Sequence, residues 1–535
     1  MKQVSRKPLF RTTFLDRVIA AVSPTLAGKR VHARAMFEHM ASFQVRRTGA
    51  GSKGTLYNKA VNRQNRITEG MDREALALRA QDLAANDPHA ASIVDAMPLN
   101  IVGPGLVPQS RPNAARLKIT EEQERSFQEQ AEWAFKTWSR RADAGGRWTF
   151  GAIQFSSVWA LVVDGEYLLL PVMRKRPAAR YSFAVQMLDP LRLRTPVDRL
   201  SDKSVRDGVV LGTAGEPVAY WIADPDDGMS FAVASAQFRR VPAWRGHRPQ
   251  VLHSFVCRDP ERVRGESLLG PGIKTFYDLA DYQDYELVGA ILAASFAVFM
   301  EMPESINPLQ AASDMGTSTA TGGAGQSLNI QEVEPGQIYY GRAGQKPHIL
   351  KSERPAASYQ QFVEHVLRAA GASLGLPYEV VAKDFSKTNY SSARAALLEA
   401  WRLYHVHQTW LVDGLCRPVW DMVIEEAVLR GDIIMPEGAP GFYEEREAWC
   451  ECVWLPPKRG HIDPVKETSA AVEALNNNMT TLAAVAAENG EDYESLLKQR
   501  AREQRLAEEL GVRTGQAQPA QQSKDEDTDK EDDDG

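Results

Sequence analysis

Residues 375–399 read GLPYEVVAKDFSKTNYSSARAALLE and carry the strongest structural signal of the chain. A Gly-Leu-Pro step ends one helix, a polar loop follows, and an apolar-patterned helix begins after it. Lys383 and Lys387 stand in the loop among small hydroxyl and amide side chains. Ser391 or Ser392 is expected to cap the second helix, because a side-chain oxygen there accepts from unpaired first-turn N–H groups.

The composition of this loop has two interpretations. Lysines and hydroxyls suit contacts with phosphate that carry no sequence information. The same side chains equally suit a plain N-cap loop whose lysines are solvated. Taken alone, the loop does not decide between them.

The helix after the loop is predicted over about residues 391–430. Steps of three, four and seven separate its apolar positions and mark one buried face. Those positions are Leu397, Trp401, Tyr404, Leu411, Leu415 and Met422. About forty residues give roughly 60 Å, more than a typical globular domain needs. Pro418 is expected to kink this helix and Gly431 to close it.

Two further helices are predicted upstream, at 271–300 and 356–375, with an insertion between them. The first contains the longest apolar run, Leu287 to Met300, which is too short to span a bilayer. The insertion is rich in Gly, Ser, Thr and Ala from Met315 to Ser327, and short strands are expected near Ile330 and at 338–340. A flexible insertion between two helices is the simplest account.

The N-terminal half predicts a mixed α+β body built around a small, mostly antiparallel sheet. One helix is expected over 71–98, stopped by Pro98, and another over 120–140. Strand-like runs begin at Tyr167, Phe183 and Val218. Near the other end, Asp463 and Pro464 begin a helix, and a last helix over 492–510 ends at Gly511.

Charge is concentrated at the two ends. The chain has 535 residues, a net charge of -6 and 43% hydrophobic residues, which suits about three to four domain-sized units. Residues 1–66 carry 14 Lys and Arg against two acids, whereas 524–535 carry eight acids. Both ends are expected to be disordered and solvated. Four cysteines argue against a disulfide framework, and the basic N-terminus makes a poor signal peptide.

Signatures of catalysis are sparse. The sequence has neither a Walker A run nor a His-Glu-x-x-His motif. Cys450 and Cys452 lack a second pair to complete a zinc site. His405 and His407 lie two apart and should face different directions on a helix. No catalytic residue, metal or cofactor is therefore expected.

Five segments, taken in order, resemble the lambda-type family of bacteriophage portal proteins, the head-tail connectors. They are 87–106 (DPHAASIVDAMPLNIVGPGL), 164–166 with 186–193 (QMLDPLRL), 264–271 (RGESLLGP), 375–399, and 463–467 (DPVKE). The resemblance covers about residues 70–511, and its most specific part is 375–399.

The resemblance implies a portal fold in which about twelve copies close into a ring. The implied parts are a basic N-terminal arm (1–70), a mixed α/β wing body (71–270), stem helices (271–300 and 356–377), a clip (301–355), a tunnel loop (378–391), a long helix and wing return (392–462), an α-helical crown (463–511) and a disordered acidic tail (512–535).

The resemblance also implies a function and partners. The ring would be the channel for DNA packaging and ejection at one capsid vertex of the virion, after assembly in the host cytoplasm. Its partners would be non-specific double-stranded viral DNA, the terminase, the major capsid or scaffold protein and the head-tail adaptor, without a membrane. The implied DNA-facing residues are Lys383, Asp384, Phe385, Ser386, Lys387, Thr388, Asn389 and Tyr390.

A ring should also bury the uncharged face near 287–300 between neighbouring subunits, because a monomer rarely exposes such a patch. The residues expected there are Leu287, Ile291, Phe296 and Phe299. Two alternatives compete. A nuclease or relaxase would need a carboxylate cluster or a nucleophile with a base. Another structural viral ring or adaptor would share the architecture.

Overall fold

The computed structural model describes residues 66–224, 237–257, 259–295, 298–300, 338–340, 359–457 and 463–511. The basic arm up to residue 65, most of the segment 301–355 and the acidic tail lie outside these ranges. The strand expected near Ile330 and the disorder expected at both ends of the chain therefore concern residues outside the described ranges.

The described chain begins with two helices, α1 (Arg66–Asn86) and α2 (Pro88–Ile101). Asp87 separates them, and its Oδ1 accepts from the Ala90 N–H at 2.7 Å. The single helix predicted over 71–98 is wrong, because this cap starts a new helix at Pro88. Pro98 lies inside α2 instead of ending it.

Two longer helices follow strand β1 (Val107–Ser110) and the short helix α3 (Ala114–Leu117). Helix α4 (Glu121–Ser139) confirms the helix predicted over 120–140, and Thr120 and Gln123 form its capping box. Helix α5 (Phe150–Val163) was not predicted. It is apolar and buried around most of its circumference, so its sequence lacks the one-sided periodicity of a surface helix.

The strands belong to several small sheets. They are β2 (Glu166–Met173), β3 (Phe183–Leu188), β4 (Val205–Arg206), β5 (Val209–Leu211), β6 (Pro217–Ala223), β7 (Phe238–Pro242), β8 (Trp244–Arg245), β9 (Arg248–Pro249) and β10 (Leu252–Phe255). Their sheets have the orders β10-β2-β3, β4-β5-β6-β7 and β8-β9, all antiparallel. The predicted antiparallel character is confirmed, but the single sheet is replaced by several.

Strand β2 separates two hydrophobic cores, because successive side chains of a strand point to opposite faces. Tyr167 and Leu169 face the larger core, whereas Leu168 and Leu170 face a smaller one shared with β5 and β6. Four of the larger core's aromatic rings surround Phe135 with centroids 5.4 to 5.7 Å away. Aromatic rings from distant parts of the chain thus hold the larger core of this α+β body together.

Helix α6 (Ile273–Ser295) is shorter than the helix predicted over 271–300. Residues Val298–Met300 form strand β11, which pairs in parallel with β12 (Ile338–Tyr340). The helix prediction fails at this end because β-branched and aromatic residues favour an extended strand where a partner strand is present. Helix α7 (Tyr359–Leu374) packs beside α6, with Tyr282 stacked on Tyr359 at 5.8 Å.

The segment from Gly375 to Gly431 departs from the predicted loop, because a short helix α8 (Tyr378–Ala382) occupies its start. The helix predicted over about 391–430 is confirmed as one helical run. A π-helical turn (Val412–Cys416) divides this run into α9 (Tyr390–Leu411) and α10 (Arg417–Leu429). The interruption precedes Pro418, whose missing N–H cannot continue regular bonding. Gly431, at φ 76°, closes α10 as predicted.

The last described elements are α11 (Arg446–Trp449), β13 (Cys452–Leu455), which pairs with β1, and helices α12 (Pro464–Asn476), α13 (Leu482–Glu488) and α14 (Tyr493–Leu510). Asp463 caps α12, and Gly511 ends α14 in the left-handed conformation. Both predicted ends are confirmed. Among the described helices, none is long and apolar enough to cross a membrane.

Candidate functional site

The connecting loop, residues 383–389, joins α8 to α9 and contains most of the predicted DNA-facing residues. Both of its ends have specific backbone conformations. Lys383 adopts φ 53° as the residue after α8. At the other end Asn389 is the N-cap of α9, and its Oδ1 accepts from the Ser392 N–H at 2.8 Å. The cap predicted at Ser391 or Ser392 is therefore wrong by two or three positions.

Short-range hydrogen bonds hold the connecting loop in shape. Asp384 accepts from the Ser386 N–H at 2.9 Å, and hydrogen bonding from the Ser386 side chain and backbone lowers the pKa of Asp384. The Thr388 hydroxyl donates to the Phe385 carbonyl at 2.9 Å. Phe385 remains 44% exposed at the surface. Hydrogen bonds from its own polar side chains thus give the connecting loop a defined conformation.

The two lysines of the connecting loop have different surroundings. Lys387 donates from Nζ to Glu364 on α7, and this bond raises the pKa of Lys387 and lowers that of Glu364. Gln360 also donates to the Glu364 carboxylate, at 3.0 Å. Lys383 is exposed and forms no ion pair within the described chain. Only Lys383 therefore offers an uncompensated positive charge in this conformation.

Helix α6 leaves a largely apolar face uncovered, with the exposed Asp284 beside it. Tyr285, Leu287, Val288 and Ile291 are 73%, 61%, 52% and 52% exposed. Their spacing of three and four residues places them close together on the helix surface. Two of the predicted contact residues, Leu287 and Ile291, are therefore brought together here. Phe296 lies outside the described residues, and of Phe299 only the strand backbone is described.

Sequence reasoning missed a buried ion cluster centred on Glu166 and Arg264. The Glu166 carboxylate is fully buried and accepts from Arg264 Nε at 2.8 and 2.9 Å and from His253 Nε2 at 2.9 Å. Arg73 contributes a second guanidinium, 3.4 Å from Glu166 and 2.8 Å from Asp207. Burial alone would raise the pKa of Glu166, but Arg264 and these partners hold it well below its usual value.

A glycine contact accompanies this cluster. Gly165 has φ 88°, and a Cβ added to it would lie 2.1 Å from the backbone carbon of Glu266. A Cβ on Gly265 would lie 2.0 Å from the Gly165 carbonyl oxygen. The repeated pattern of a charge, glycine and glutamate at 164–166 and 264–266 was the available signal for this contact. The lack of a Cβ at Gly165 and Gly265 lets the two backbone segments come into contact. The oppositely charged Asp164 and Arg264 precede these glycines.

In the described part of the chain, no group of three or more His, Cys, Asp and Glu side chains is arranged to hold a metal ion. Burial raises the pKa of Cys452 to about 12, so its thiol stays protonated and is a poor metal ligand. His405 is exposed and His407 is 5% exposed with its ring 5.0 Å from Trp410. The predicted divergence of these two histidines is confirmed.

The fold and these surfaces define a structural class: an α+β subunit with an uncovered apolar helix face and a locally ordered basic loop. Both features suit a subunit that acts within a larger assembly. Comparison with known proteins identifies the sequence family. The sequence model described as "Phage portal protein, lambda family" matches residues 56–408.

Curated relatives cover most of the chain. The portal protein of Escherichia phage N15 is 25% identical over 443 residues, which cover 79% of this chain and 83% of that protein. Portal protein B of Escherichia phage lambda is 24% identical over 443 residues, covering 79% and 82%. The probable portal protein of Halomonas phage phiHAP-1 is 24% identical over 451 residues, covering 82% of both chains.

Solved structures of gene transfer agent (GTA) particles are also similar. A chain from the neck of a native particle, computed with C12 symmetry, matches at 12% identity and a TM-score of 0.37, covering 77% of this chain and 93% of that one. A chain from the neck of an empty particle matches at 13% identity and a TM-score of 0.39.

The chain belongs to the lambda family of phage portal proteins. It is a portal protein, the kind of subunit that builds the ring at one vertex of a phage capsid.

Proposed function

We propose that about twelve copies of this chain form the ring through which viral DNA enters and leaves the capsid. The observation that carries the proposal is the uncovered apolar face of α6, together with membership of the portal family. Burial of this face against a neighbouring copy would remove apolar surface from water, which favours association. Leu287 and Ile291 are the proposed contact residues of α6, and Phe296 and Phe299 are proposed as further contact residues from the sequence alone.

The connecting loop is the DNA-facing part of this proposal. A channel must let DNA slide, so its contacts with phosphate should be few, weak and independent of sequence. The neutralisation of Lys387 by Glu364 supports such a weak contact, because it leaves Lys383 as the loop's uncompensated lysine. Both lysines are proposed to touch DNA transiently, with Tyr390 and the polar residues between them lining the same path.

The assignment of parts follows from the order of elements. Helices α6 and α7 are proposed as stem helices, with the clip at 301–355 between them. Residues 71–270 and 392–462 form the wing, and 463–511 the crown. The clip would meet the terminase and later the head-tail adaptor, and the wing or crown the capsid or scaffold protein.

The subunit is proposed to be a passive conduit without catalytic activity of its own, assembled in the host cytoplasm and retained in the virion. Membership of a structural protein family supports this role. The alternative of a nucleic-acid-processing enzyme has no support in the comparisons.

Electron microscopy of the purified full-length chain tests the proposal directly. Closed rings with a central hole are the expected result. Protein that remains single under assembly conditions, or that cuts DNA unaided, would overturn it.

The loop assignment has its own test in a DNA packaging assay. Lys383→Ala with Lys387→Ala should alter packaging or DNA retention while rings still form. A matched control is Lys203→Ala with Lys466→Ala, which removes two exposed lysines elsewhere. Equal packaging by both double variants would remove the loop from the DNA path.

A further inference from the structure

A second basic site lies on the wing body, away from the connecting loop. The arginine pocket is a cavity of about 200 Å³ at the end of α4 and beside residues 176–181. Arg140, Arg141, Arg176 and Arg180 line it, and no carboxylate-bearing residue is among its lining residues. In a chain whose net charge is -6, four arginines at one cavity need a specific explanation.

Arg176 has hydrogen bonds but no counter-ion in the described chain. Its Nη1 donates to the carbonyls of Arg141 and Asp143 at 2.6 and 2.7 Å, and its Nη2 to that of Phe183 at 2.9 Å. Its Nε is buried and has no hydrogen-bond partner among the described residues. Burial lowers the pKa of Arg176, and the charges of Asp143 and Glu426 only partly oppose this shift.

Arg140 and Arg141 add two exposed guanidiniums that form no ion pair within the described ranges. Arg141 donates from Nη1 to the Pro177 carbonyl at 3.1 Å, which leaves its other N–H groups available. Arg180 differs, because its Nε donates to Asp432 at 2.9 Å. Among the described residues, three of the four arginines thus have no salt-bridge partner.

Part of this charge has a local structural role. Arg176 satisfies carbonyl groups just beyond the C-terminal end of α4, where a cation is favourable. That role needs one guanidinium. It does not account for Arg140 and Arg141, which extend into solvent from the same cavity.

Two exposed tryptophans near the pocket residues in sequence each have an arginine guanidinium over the ring. Arg180 lies 5.3 Å from the ring of Trp133, which is 50% exposed. Arg147 lies 5.7 Å from the ring of Trp148, which is 41% exposed. Guanidinium groups match phosphate oxygens with two parallel N–H donors, and stacking on a ring restricts the motion of the guanidinium.

We propose that the arginine pocket binds backbone phosphate groups of double-stranded DNA, as a contact separate from the connecting loop. The source of that DNA rests on the proposed portal function, whereas phosphate recognition by the pocket does not. Arg140 and Arg141 contact the phosphates, and Arg176 supplies the fixed positive charge behind them.

The test measures binding of a labelled DNA duplex to the full-length protein as a function of salt. Arg140→Ala with Arg141→Ala is compared with Arg125→Ala with Arg500→Ala, which removes two exposed arginines outside the pocket. Each lost phosphate contact lowers the slope of log affinity against log salt by about 0.9. Raising salt from about 50 to about 200 mM should therefore weaken wild-type binding roughly tenfold more than binding by the pocket variant.

The control variant should keep the wild-type slope, and both variants should still form rings by electron microscopy. Equal losses in the two variants would overturn the proposal, because they would reflect net charge alone. Pocket-dependent binding of inorganic phosphate without duplex binding would also overturn it, as would pocket-dependent binding of a peptide of residues 524–535 in place of the duplex. Failure of rings to form in wild-type protein would instead count against the portal function.

Discussion

Glu166 and Arg264, 98 residues apart in the chain, form an ion pair in the protein interior, with Arg264 Nε 2.8 Å from Glu166 Oε2. The same guanidinium donates to the carbonyls of Leu193 and Pro190 at 2.6 and 2.9 Å. The pair therefore joins β2, the turn after β3 and the segment that leads into α6. It lies where the proposed wing body meets the first proposed stem helix.

Glu166→Gln should destabilise the protein by about 3–5 kcal/mol, because it removes the fully buried anion of Arg264 and leaves both guanidiniums of the buried cluster only the partly exposed Asp207. The measurement is chemical denaturation of the full-length chain. Glu399→Gln, which removes an exposed partner of Arg402, should change stability by less than about 0.5 kcal/mol. Equal effects of the two changes would contradict the importance of the buried cluster.

Gly165→Ala should be much more damaging than Gly146→Ala. Both glycines have positive φ, at 88° and 73°, so both substitutions strain the backbone. Only at Gly165 would the new Cβ strike backbone atoms, whereas nothing lies within 4 Å at Gly146. Thermal denaturation of both variants separates the cost of backbone strain, which both share, from the cost of the steric clash, which only Gly165→Ala has. Similar melting temperatures would mean that the 165 and 265 backbones do not touch.

Asp164→Asn should stabilise the protein at pH 8 but not at pH 4. Burial raises the pKa of Asp164 to about 7, against about 3.9 in an unfolded chain. Stability is therefore lost as the pH rises between these values, because the unfolded state releases the proton first. Asparagine keeps an oxygen to accept from Gln81, which donates at 2.8 Å, and carries no charge.

Melting temperatures across this pH range check the Asp164 prediction. The difference between variant and wild type should grow from pH 4 to pH 7 and then level off. Asp413→Asn, at an exposed position, is the control. A difference that does not change with pH would show that Asp164 is ionised in the folded protein.

Leu287→Asp with Ile291→Asp should abolish ring formation and leave the subunit folded. Both side chains are more than half exposed in the single chain, so charge there costs little until a neighbour covers it. Circular dichroism should report unchanged helix content while electron microscopy finds no rings. Leu429→Asp with Ile434→Asp, at 62% and 71% exposure, is the matched control and should still form rings. Rings in both variants would exclude the α6 face as a contact.

Glu364→Gln should raise the affinity of the full-length protein for duplex DNA, because it releases Lys387 to bind phosphate. One added contact should steepen the salt dependence by about 0.9 in log-log slope. Glu503→Gln, which makes the same charge change at an exposed position of α14, is the control. Adding Lys387→Ala to Glu364→Gln should remove the gain; a gain that persists would mean that Lys387 is not the responsible group.

Much of the architecture was predictable because its signals are local. Thr120 caps α4, Asp463 caps α12 and Gly431 ends α10, and in each case the side chain or backbone acts on residues within one helical turn. Strand β2 was likewise predictable from its own continuous apolar run, which is buried on both faces of the sheet. The resemblance to portal proteins also rested on contiguous segments, of which 375–399 was the most specific.

Only the tertiary structure decided which residues far apart in sequence contact one another. The sequence identified Lys387 as a loop lysine, but its pairing with Glu364 on α7 depends on how two helices pack. It placed the Asp164-Gly-Glu and Arg264-Gly-Glu segments in order, but only folding brings Gly165 against Glu266 and Glu166 onto Arg264. Hydrogen bonding within a turn is encoded by neighbours, whereas burial and ion pairing depend on the packing of the whole chain.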